Sequence, residues 1–390
     1  KKVSICHYQQ QRGSRRCISS SSLHIEEGET DERYINRPPK EELTFGTTMS
    51  DHMLTVEYNN GKWNDARIVP YQNLSLSPAA SSLHYGLQCF EGMKAYKDSS
   101  SDNHDGKDGK IRLFRPDRNF KRLQKSMERL QMPGCDFDPK ELLELLKELL
   151  RLDRRWIPDG DGYSLYIRPT VIATHPYLGL AAPTDLLLYV ITCPVGPYYP
   201  TGFQPISLLA SSEYLRAWPG GTGGNKIGGN YAPTMKPQQL ASERGYSQVL
   251  WLFGKDHEIT EVGSMNVFFV IREDQSDRET LITPPLHRGD ILPGVTRDSI
   301  LQLARMEPNL TVEERFLTMS EVIAASEQNR LVEAFGAGTA AVVTPIEKLH
   351  FQGNDIVIPA TGKWTQQFWN DLTDIQYGRK QGPEGWSVPV

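Results

Sequence analysis

The sequence lacks any apolar run long enough to cross a membrane as a helix. Stretches such as Leu186-Leu187-Leu188-Tyr189-Val190-Ile191 fall far short of the roughly 20 residues a bilayer requires. It also lacks a strong excess of one charge. Lys and Arg total 43 against 48 acids, for a formal charge of -5, which argues against a general nucleic-acid binder while leaving room for a local basic patch. Cysteine is scarce: Cys6, Cys17, Cys89, Cys135 and Cys193 form no CxxC pair. Such an odd, scattered set reads as reduced and intracellular, not as a disulfide framework. His84, His175, His257, His287 and His350 have neither HxxH nor HExxH spacing, so no metal site is expected. There is no GxSxG elbow for a serine nucleophile and no Walker loop. Gly336, Gly338 and Ala341 have GxGxxA spacing, but Val342-Val343-Thr344-Pro345 follows. That reads as a strand ending at a proline and not as the helix a dinucleotide site needs.

What is present is ordinary globular material. The chain has 390 residues, 38% hydrophobic and 23% charged, enough for two domains or one large α/β unit. Residues 1–24 stand apart: they carry Lys1, Lys2, Arg12, Arg15 and Arg16, many serines and no acid. A basic, serine-rich, acid-poor segment fits a mitochondrial transit leader, with an unaddressed disordered tail in the cytoplasm as the alternative. Pro194-Val195-Gly196-Pro197-Tyr198-Tyr199-Pro200-Thr201-Gly202 breaks all regular structure and is the best boundary in the chain. The expected division is a leader and extension over 1–50, partly disordered, a smaller α/β domain over 51–193, a connecting loop over 194–205 and a larger α/β domain over 206–390.

Periodicity places the elements. Leu54 to Tyr58 alternate as a strand turned by Asn59-Asn60-Gly61, and Cys89 to Tyr96 reads as one strand. Lys97 to Gly109 is a polar insertion, expected as a surface loop. Phe120, Leu123, Met127 and Leu130 share a helical face, and Asp138-Pro139 opens a leucine-rich helix. On the strand Ser164 to Arg168, Tyr166 and Arg168 face the same way. Thr318 with Glu321 has capping-box spacing. Strands are expected over Gln248–Phe253, Asn266–Arg272, Leu331–Phe335 and Ala340–Val343, and helices over Ala232–Tyr246, Thr296–Met306 and Trp364–Ile375.

Candidate chemistry gathers around Pro219-Gly220-Gly221-Thr222-Gly223-Gly224-Asn225-Lys226-Ile227-Gly228-Gly229-Asn230-Tyr231. Six glycines in ten residues preclude a stable helix. They suit either a surface turn with a solvated lysine or a close backbone approach beside a bulky ligand. Three features could take a phosphate: Arg122 with its planar fork, the Leu292-Pro293-Gly294-Val295-Thr296 turn opening a helix, and the small-residue turn ending at Thr339-Ala340. Glu261 stands at a turn between apolar strands; if buried it needs a partner, and a protonated ring nitrogen would serve.

These residues resemble the branched-chain amino-acid aminotransferases in their eukaryotic form, pyridoxal-phosphate enzymes of fold type IV. The resemblance runs in order through Leu83-His84-Tyr85-Gly86-Leu87-Gln88-Cys89-Phe90-Glu91-Gly92-Met93-Lys94-Ala95-Tyr96, Leu113-Phe114-Arg115-Pro116 and Leu165-Tyr166-Ile167-Arg168-Pro169. It continues through Arg216-Ala217-Trp218, Lys226-Ile227-Gly228-Gly229-Asn230-Tyr231, Glu261-Val262-Gly263, Leu292-Pro293-Gly294-Val295-Thr296-Arg297-Asp298 and Gly338-Thr339-Ala340. It implies a two-domain α/β fold of the D-amino-acid aminotransferase kind, with pyridoxal 5'-phosphate between the domains, acting as a homodimer whose partner subunit helps close the pocket. It implies transfer of the amino group of leucine, isoleucine or valine to 2-oxoglutarate. A D-amino-acid transaminase, an aminodeoxychorismate lyase and a non-catalytic small-ligand binder are the rival readings.

By the same resemblance Lys226 bonds the cofactor aldehyde and then shuttles the substrate proton. Tyr231 donates to the phenolic oxygen and Glu261 partners the pyridine nitrogen. Arg122, Val295, Thr296 and Thr339 form the phosphate cradle. Tyr166, Thr339 and Ala340 form the carboxylate-binding edge, while Tyr85, Phe90, Arg168 and Tyr198 wall the substrate pocket. The loop glycines would let the backbone pass close to the cofactor. Ala341 and Thr344 stand where the animal mitochondrial form carries a redox-active CxxC pair, so that thiol switch is not expected here. Cys89 reads as a buried apolar residue.

Overall fold

Alternating side chains and helical stripes build the first of two sheet-based units. In the computed structural model, which describes residues 17–26, 28, 31–98, 109–197, 204–274, 276–359 and 362–390, Leu54, Val56 and Tyr58 point inward from the strand His52–Asn59 while Glu57 is exposed. Its sheet has ten strands among the described residues. The main path runs His24–Ile25, Arg67–Pro70, His52–Asn59, Leu186–Val195, Ser164–Ala173, Met93–Lys97, Ile111–Phe114 and Ser387–Pro389. The helix Pro139–Leu152 buries Leu142, Leu145, Leu146, Leu149 and Leu150 in this unit's core, and Asp138 caps it by accepting from the Lys140 amide. Each such leucine contributes about 1.5–3 kcal/mol when fully buried.

The second sheet has nine strands among the described residues. Its path is Glu258–Val262, Gln248–Phe253, Ile206–Ser211, Val342–Phe351, Leu331–Gly338, Asn266–Arg272, Glu279–Thr283 and Leu310–Glu314. The long strand Val342–Phe351 ties it together: Pro345 lies opposite Phe335 on one side and Ile346 opposite Ile206 on the other. The capping box expected at Thr318 forms in full, with the Glu321 carboxylate accepting from the Thr318 amide at 3.0 Å. The turn at Asn60-Gly61 also forms, both residues having positive φ.

Four expectations need correction. Cys89 to Tyr96 is not one strand but two, Gln88–Phe90 and Met93–Lys97, both pairing with Ser164–Ala173. The break falls at Glu91-Gly92, where the Glu91 amide still donates to the Pro169 carbonyl at 2.8 Å while its buried carboxylate bonds Arg122. The strand expected over Ala340–Val343 starts only at Val342 and runs through Pro345 to Phe351. Proline is tolerated there because its missing donor falls in a sheet whose neighbours change at that point. The helix Ala232–Tyr246 contracts to Met235–Glu243 behind two short 3₁₀ turns. Finally, Ser387–Pro389 returns to pair with Ile111–Phe114 of the first sheet, so residues 206–390 do not form one sheet unit.

Within the N-terminal extension, Ile18 is buried in the first unit's core and Ser20 bonds Glu141. Residues 1–16, most of the polar insertion and Tyr198 with its neighbours lie outside the described residues. A third apolar cluster joins the units, with Tyr96 and Phe114 from the first meeting Phe268, Trp364 and Trp386. The candidate residues collect at this junction.

Candidate active site

The helix Pro116–Arg129 presents two buried stripes. Phe120, Leu123 and Met127 face the first unit's core, while Asn119, Arg122 and Ser126 form a polar stripe at three- and four-residue spacing. Ser126 accepts the Lys226 amide at 2.9 Å, and the Lys226 carbonyl accepts from the Phe90 amide at 3.0 Å. The lysine loop of the second unit is thereby clamped at both ends of one residue by the first. Lys226 Nζ lies 3.0 Å from the Tyr231 hydroxyl and 4.7 Å from the centre of the Phe90 ring.

The loop glycines do not line the cavity into which Lys226 projects. Their close approaches are to protein. A Cβ on Gly223 would stand 2.6 Å from the Asp290 carbonyl oxygen, and one on Gly224 3.0 Å from that of Gly289, to which the Gly224 amide donates at 2.7 Å. Gly223 and Gly224 seat the loop against residues 289–290, while Gly228 packs on the Gln88 side chain, and the lysine projects into the cavity from the loop so held.

That cavity measures about 350 Å³, within the range of small-ligand sites. At one end Gly294 caps the helix Val295–Ala304, whose first amides are free of intrahelical partners, beside the Thr296 hydroxyl. Arg122 lines the same end, but its fork is engaged: Nε and Nη2 each donate at 2.8 Å to Glu91, and Nη1 donates at 2.9 Å to the Pro293 carbonyl. Burial alone would lower the Arg122 pKa, yet Glu91 outweighs it and holds the guanidinium above its ordinary value. Arg122 therefore fixes the Pro293-Gly294 turn, and the second N–H of each terminal nitrogen remains to meet an anion.

The floor is Asn266, Met265 and Leu292. Glu261 lies one layer beneath, inside the strand Glu258–Val262 and not at a turn as expected. It accepts from Asn266 Nδ2 at 2.9 Å and from the Leu292 amide at 3.2 Å, and it pairs with Arg216. Burial raises its carboxyl above the usual range, against the pull of Arg216.

The remaining wall comes from Phe90, Tyr166, Arg168 and the turn Thr339-Ala340-Ala341. Tyr166 and Arg168 share a strand face as expected, with Arg168 Nη2 donating to the Tyr166 hydroxyl at 3.1 Å and its guanidinium 4.7 Å from the Phe90 ring centre. Val342, which follows the turn, has φ 63; a β-branched residue there costs roughly 1–3 kcal/mol.

Of the expected residues, Lys226, Tyr231, Arg122, Val295, Thr296, Thr339, Ala340, Phe90, Tyr166 and Arg168 surround one cavity. Tyr85 does not; it is partly exposed and its hydroxyl donates to the Leu178 carbonyl. Sequence reasoning missed Phe45, whose ring meets Tyr166 edge-on with centroids 4.8 Å apart. Phe45 sits in the extension, and no periodicity marks it. It also missed the Glu91–Arg122–Asn119 network, although an acid between apolar Phe90 and Met93 was a signal that a buried partner is needed.

An anion-binding helix end, a buried carboxylate beneath the far floor and a lysine between them suit an elongated ligand with a phosphate, a basic ring nitrogen and a carbonyl. Comparison with known proteins points the same way. The amino-transferase class IV family model matches residues 88–349. A Dictyostelium discoideum branched-chain-amino-acid aminotransferase is 46% identical over 384 residues, covering 97% of each chain. The cytosolic branched-chain-amino-acid aminotransferase of Saccharomyces cerevisiae is 48% identical, over 90% of this chain and 93% of the relative. Among solved structures, the branched-chain aminotransferase of the thermophilic archaeon Thermoproteus uzoniensis, solved with norvaline, shares the fold. It is 24% identical, with a TM-score of 0.68 over 87% of this chain and 99% of its own.

Proposed function

The chain belongs to the class IV aminotransferases and, within them, to the branched-chain-amino-acid aminotransferases, and we propose that its interdomain cavity seats pyridoxal phosphate with Lys226 as the catalytic residue. The reaction is reversible transfer of the amino group of leucine, isoleucine or valine to 2-oxoglutarate. The observation that carries the site assignment is Lys226 Nζ held 3.0 Å from the Tyr231 hydroxyl inside the cavity.

Pyridoxal phosphate, when bound, supplies an aldehyde carbon and a ring that accepts electrons. The first amides of Val295 and Thr296, the Thr296 and Thr339 hydroxyls and the free N–H groups of Arg122 would hold its phosphate. Glu261, one layer beneath the floor, would supply the negative charge that favours a protonated pyridine nitrogen. With the cofactor bound, Lys226 Nζ would take the proton from the substrate Cα and deliver it to the cofactor's former aldehyde carbon. Tyr231 orients Lys226 and donates to the phenolic oxygen. The Thr339-Ala340 turn and Tyr166 receive the substrate α-carboxylate.

Phe45 and Phe90 give the side chain an apolar wall, which favours branched aliphatic groups while separating them weakly by one methylene. That limit explains three shared substrates. Glutamate must enter the same pocket, and Arg168, held by its bond to the Tyr166 hydroxyl, receives its second carboxylate.

The test is transamination of leucine, isoleucine, valine and D-alanine with 2-oxoglutarate by the cofactor-loaded protein. Turnover of the three L-substrates and not of D-alanine is expected. Lys226→Ala should abolish both turnover and the visible absorption of lysine-bound cofactor; a variant that keeps that band refutes the assignment.

The surface supports a homodimer. Leu83, Tyr85, Tyr177, Leu178 and Leu180 form an exposed apolar corner, Leu180 being 77% exposed, of the kind that association covers. With the corner set against the second copy's cavity, Tyr85 would reach a substrate pocket it does not reach in its own chain. Sedimentation of wild type and of a Leu178→Asp, Leu180→Asp variant tests this; unchanged mass refutes it. The basic leader directs the chain to mitochondria, with the cytoplasm as the alternative, and a reporter fused to residues 1–24 decides between them.

A further inference from the structure

Lys94 is a buried cation that the roles above leave unused. It lies on the strand Met93–Lys97, paired across to Tyr166, and is 7% exposed. Its Nζ donates at 2.7 Å to the Ala340 carbonyl, so the bond runs from the first unit to the second. Lys94 does not line the substrate cavity; it stands behind the turn, at the edge of a separate cavity of about 230 Å³. No carboxylate is within ion-pair distance of it among the described residues. A buried ammonium without a counter-ion is costly, and a single carbonyl is modest compensation.

The geometry of one peptide plane gives the cation a use. The Ala340 carbonyl and the Ala341 N–H belong to the same trans peptide and point in opposite directions. Ala340 and Ala341 line both cavities, so a carbonyl drawn back to Lys94 leaves the Ala341 N–H directed away from it, toward the substrate side. The next residue, Val342, is β-branched with φ 63, a conformation that persists only where the surroundings over-determine it. A tie from the opposing unit is such a determinant.

We infer that Lys94 is a positioning residue for substrate carboxylates: it holds the Thr339-Ala340-Ala341 turn from behind in the orientation that receives them, and its charge offsets theirs. This rests on the assignment of that turn to the α-carboxylate. The tie also links carboxylate capture to the closeness of the two units, because Lys94 and Ala340 belong to different ones.

Burial lowers the Lys94 pKa to about 8, with Cys193 opposing. The groups facing it are Tyr96 on its own strand, Tyr166 and Cys193 on the two strands beyond, and Asp161, Tyr377 and Arg379 around the rear cavity. Below pH 8 the ammonium is charged, and a carboxylate in front keeps it so to higher pH. Carboxylate affinity is therefore full below about pH 8 and falls as pH rises beyond it.

The experiment is calorimetric titration of the holoenzyme with 4-methylpentanoate and with its uncharged amide, in wild type, Lys94→Met and Lys94→Arg. Lys94→Met should weaken the acid on the order of tenfold and leave the amide unchanged. Lys94→Arg should keep most of the affinity, and cofactor absorbance should stay the same in all three. In steady state, KM for leucine and for glutamate should rise together with little change in kcat.

Equal losses for acid and amide, or no loss for either, overturn the inference. Should Lys94→Met fail to retain cofactor, the wild-type ratio of acid to amide affinity decides: a ratio flat from pH 7 to 9.5 overturns it and a fall above pH 8 supports it. If 4-methylpentanoate does not compete with leucine in wild type, the carboxylate reading of the turn fails, a result separate from any failure of Lys94.

Discussion

Replacing Glu91 by Gln tests whether the phosphate end of the cavity is built on a buried ion pair. Glu91 is fully buried and accepts from Arg122 Nε, Arg122 Nη2, Asn119 Nδ2 and the Gly92 amide. Gln keeps the shape but removes the charge, leaves Arg122 buried without its counter-ion and turns one acceptor into a donor facing donors. Breaking a buried pair from one side costs about 3–5 kcal/mol, a large fraction of the roughly 5–15 kcal/mol that holds a typical domain folded. In urea unfolding this should appear as a lower midpoint with an unchanged slope.

Because Arg122 also holds the Pro293 carbonyl, Glu91→Gln should weaken pyridoxal phosphate binding as well. Adding Arg122→Met removes the stranded charge, so the double variant should be more stable than Glu91→Gln alone, though its cofactor affinity stays low. The reasoning is refuted if Glu91→Gln stays within about 1 kcal/mol of wild type, the range of an exposed ion pair. It is equally refuted if the two substitutions simply add, since partners in one network must couple.

Arg168→Gln should raise KM for glutamate and 2-oxoglutarate roughly 10–150-fold, the equivalent of about 1.5–3 kcal/mol for a hydrogen bond to a charged group. Leucine should change little, and equal losses for all substrates would remove Arg168 from the recognition of the second carboxylate. Burial acts to raise the Glu314 pKa, but the hydrogen bonds and charges of Arg297 and Arg305 prevail and hold it below its ordinary value. Its contribution to stability is then fully present above the unfolded carboxyl pKa and lost as pH falls through the depressed folded one. Glu314→Gln should lower the melting temperature at neutral pH and flatten the acid limb, the two profiles converging at low pH where the carboxylate is protonated in both states; a parallel shift at every pH would contradict this.

The sequence alone determined what is local or patterned. Leucine spacing after Asp138-Pro139 set a helix and its buried face, because a 3.6-residue period admits one apolar stripe. Thr318 with Glu321 set a capped helix start, and alternation put Tyr166 and Arg168 on one strand face. The ordered string of family segments is specific enough to point to Lys226, Tyr231 and the Pro293-Gly294 turn.

Tertiary structure decided everything that depends on which distant residue arrives next to which. It seated Gly223 and Gly224 against the backbone of residues 289–290. It engaged Arg122 with Glu91, sank Glu261 beneath Asn266, brought Phe45 from the extension into the pocket and kept Tyr85 out of it. It also set Lys94 behind Ala340, a bond spanning 246 residues of chain. Hydrophobic periodicity records which face of an element is buried. It does not record the partner across the junction, because burial is non-directional whereas a hydrogen bond or ion pair is fixed only when two surfaces meet.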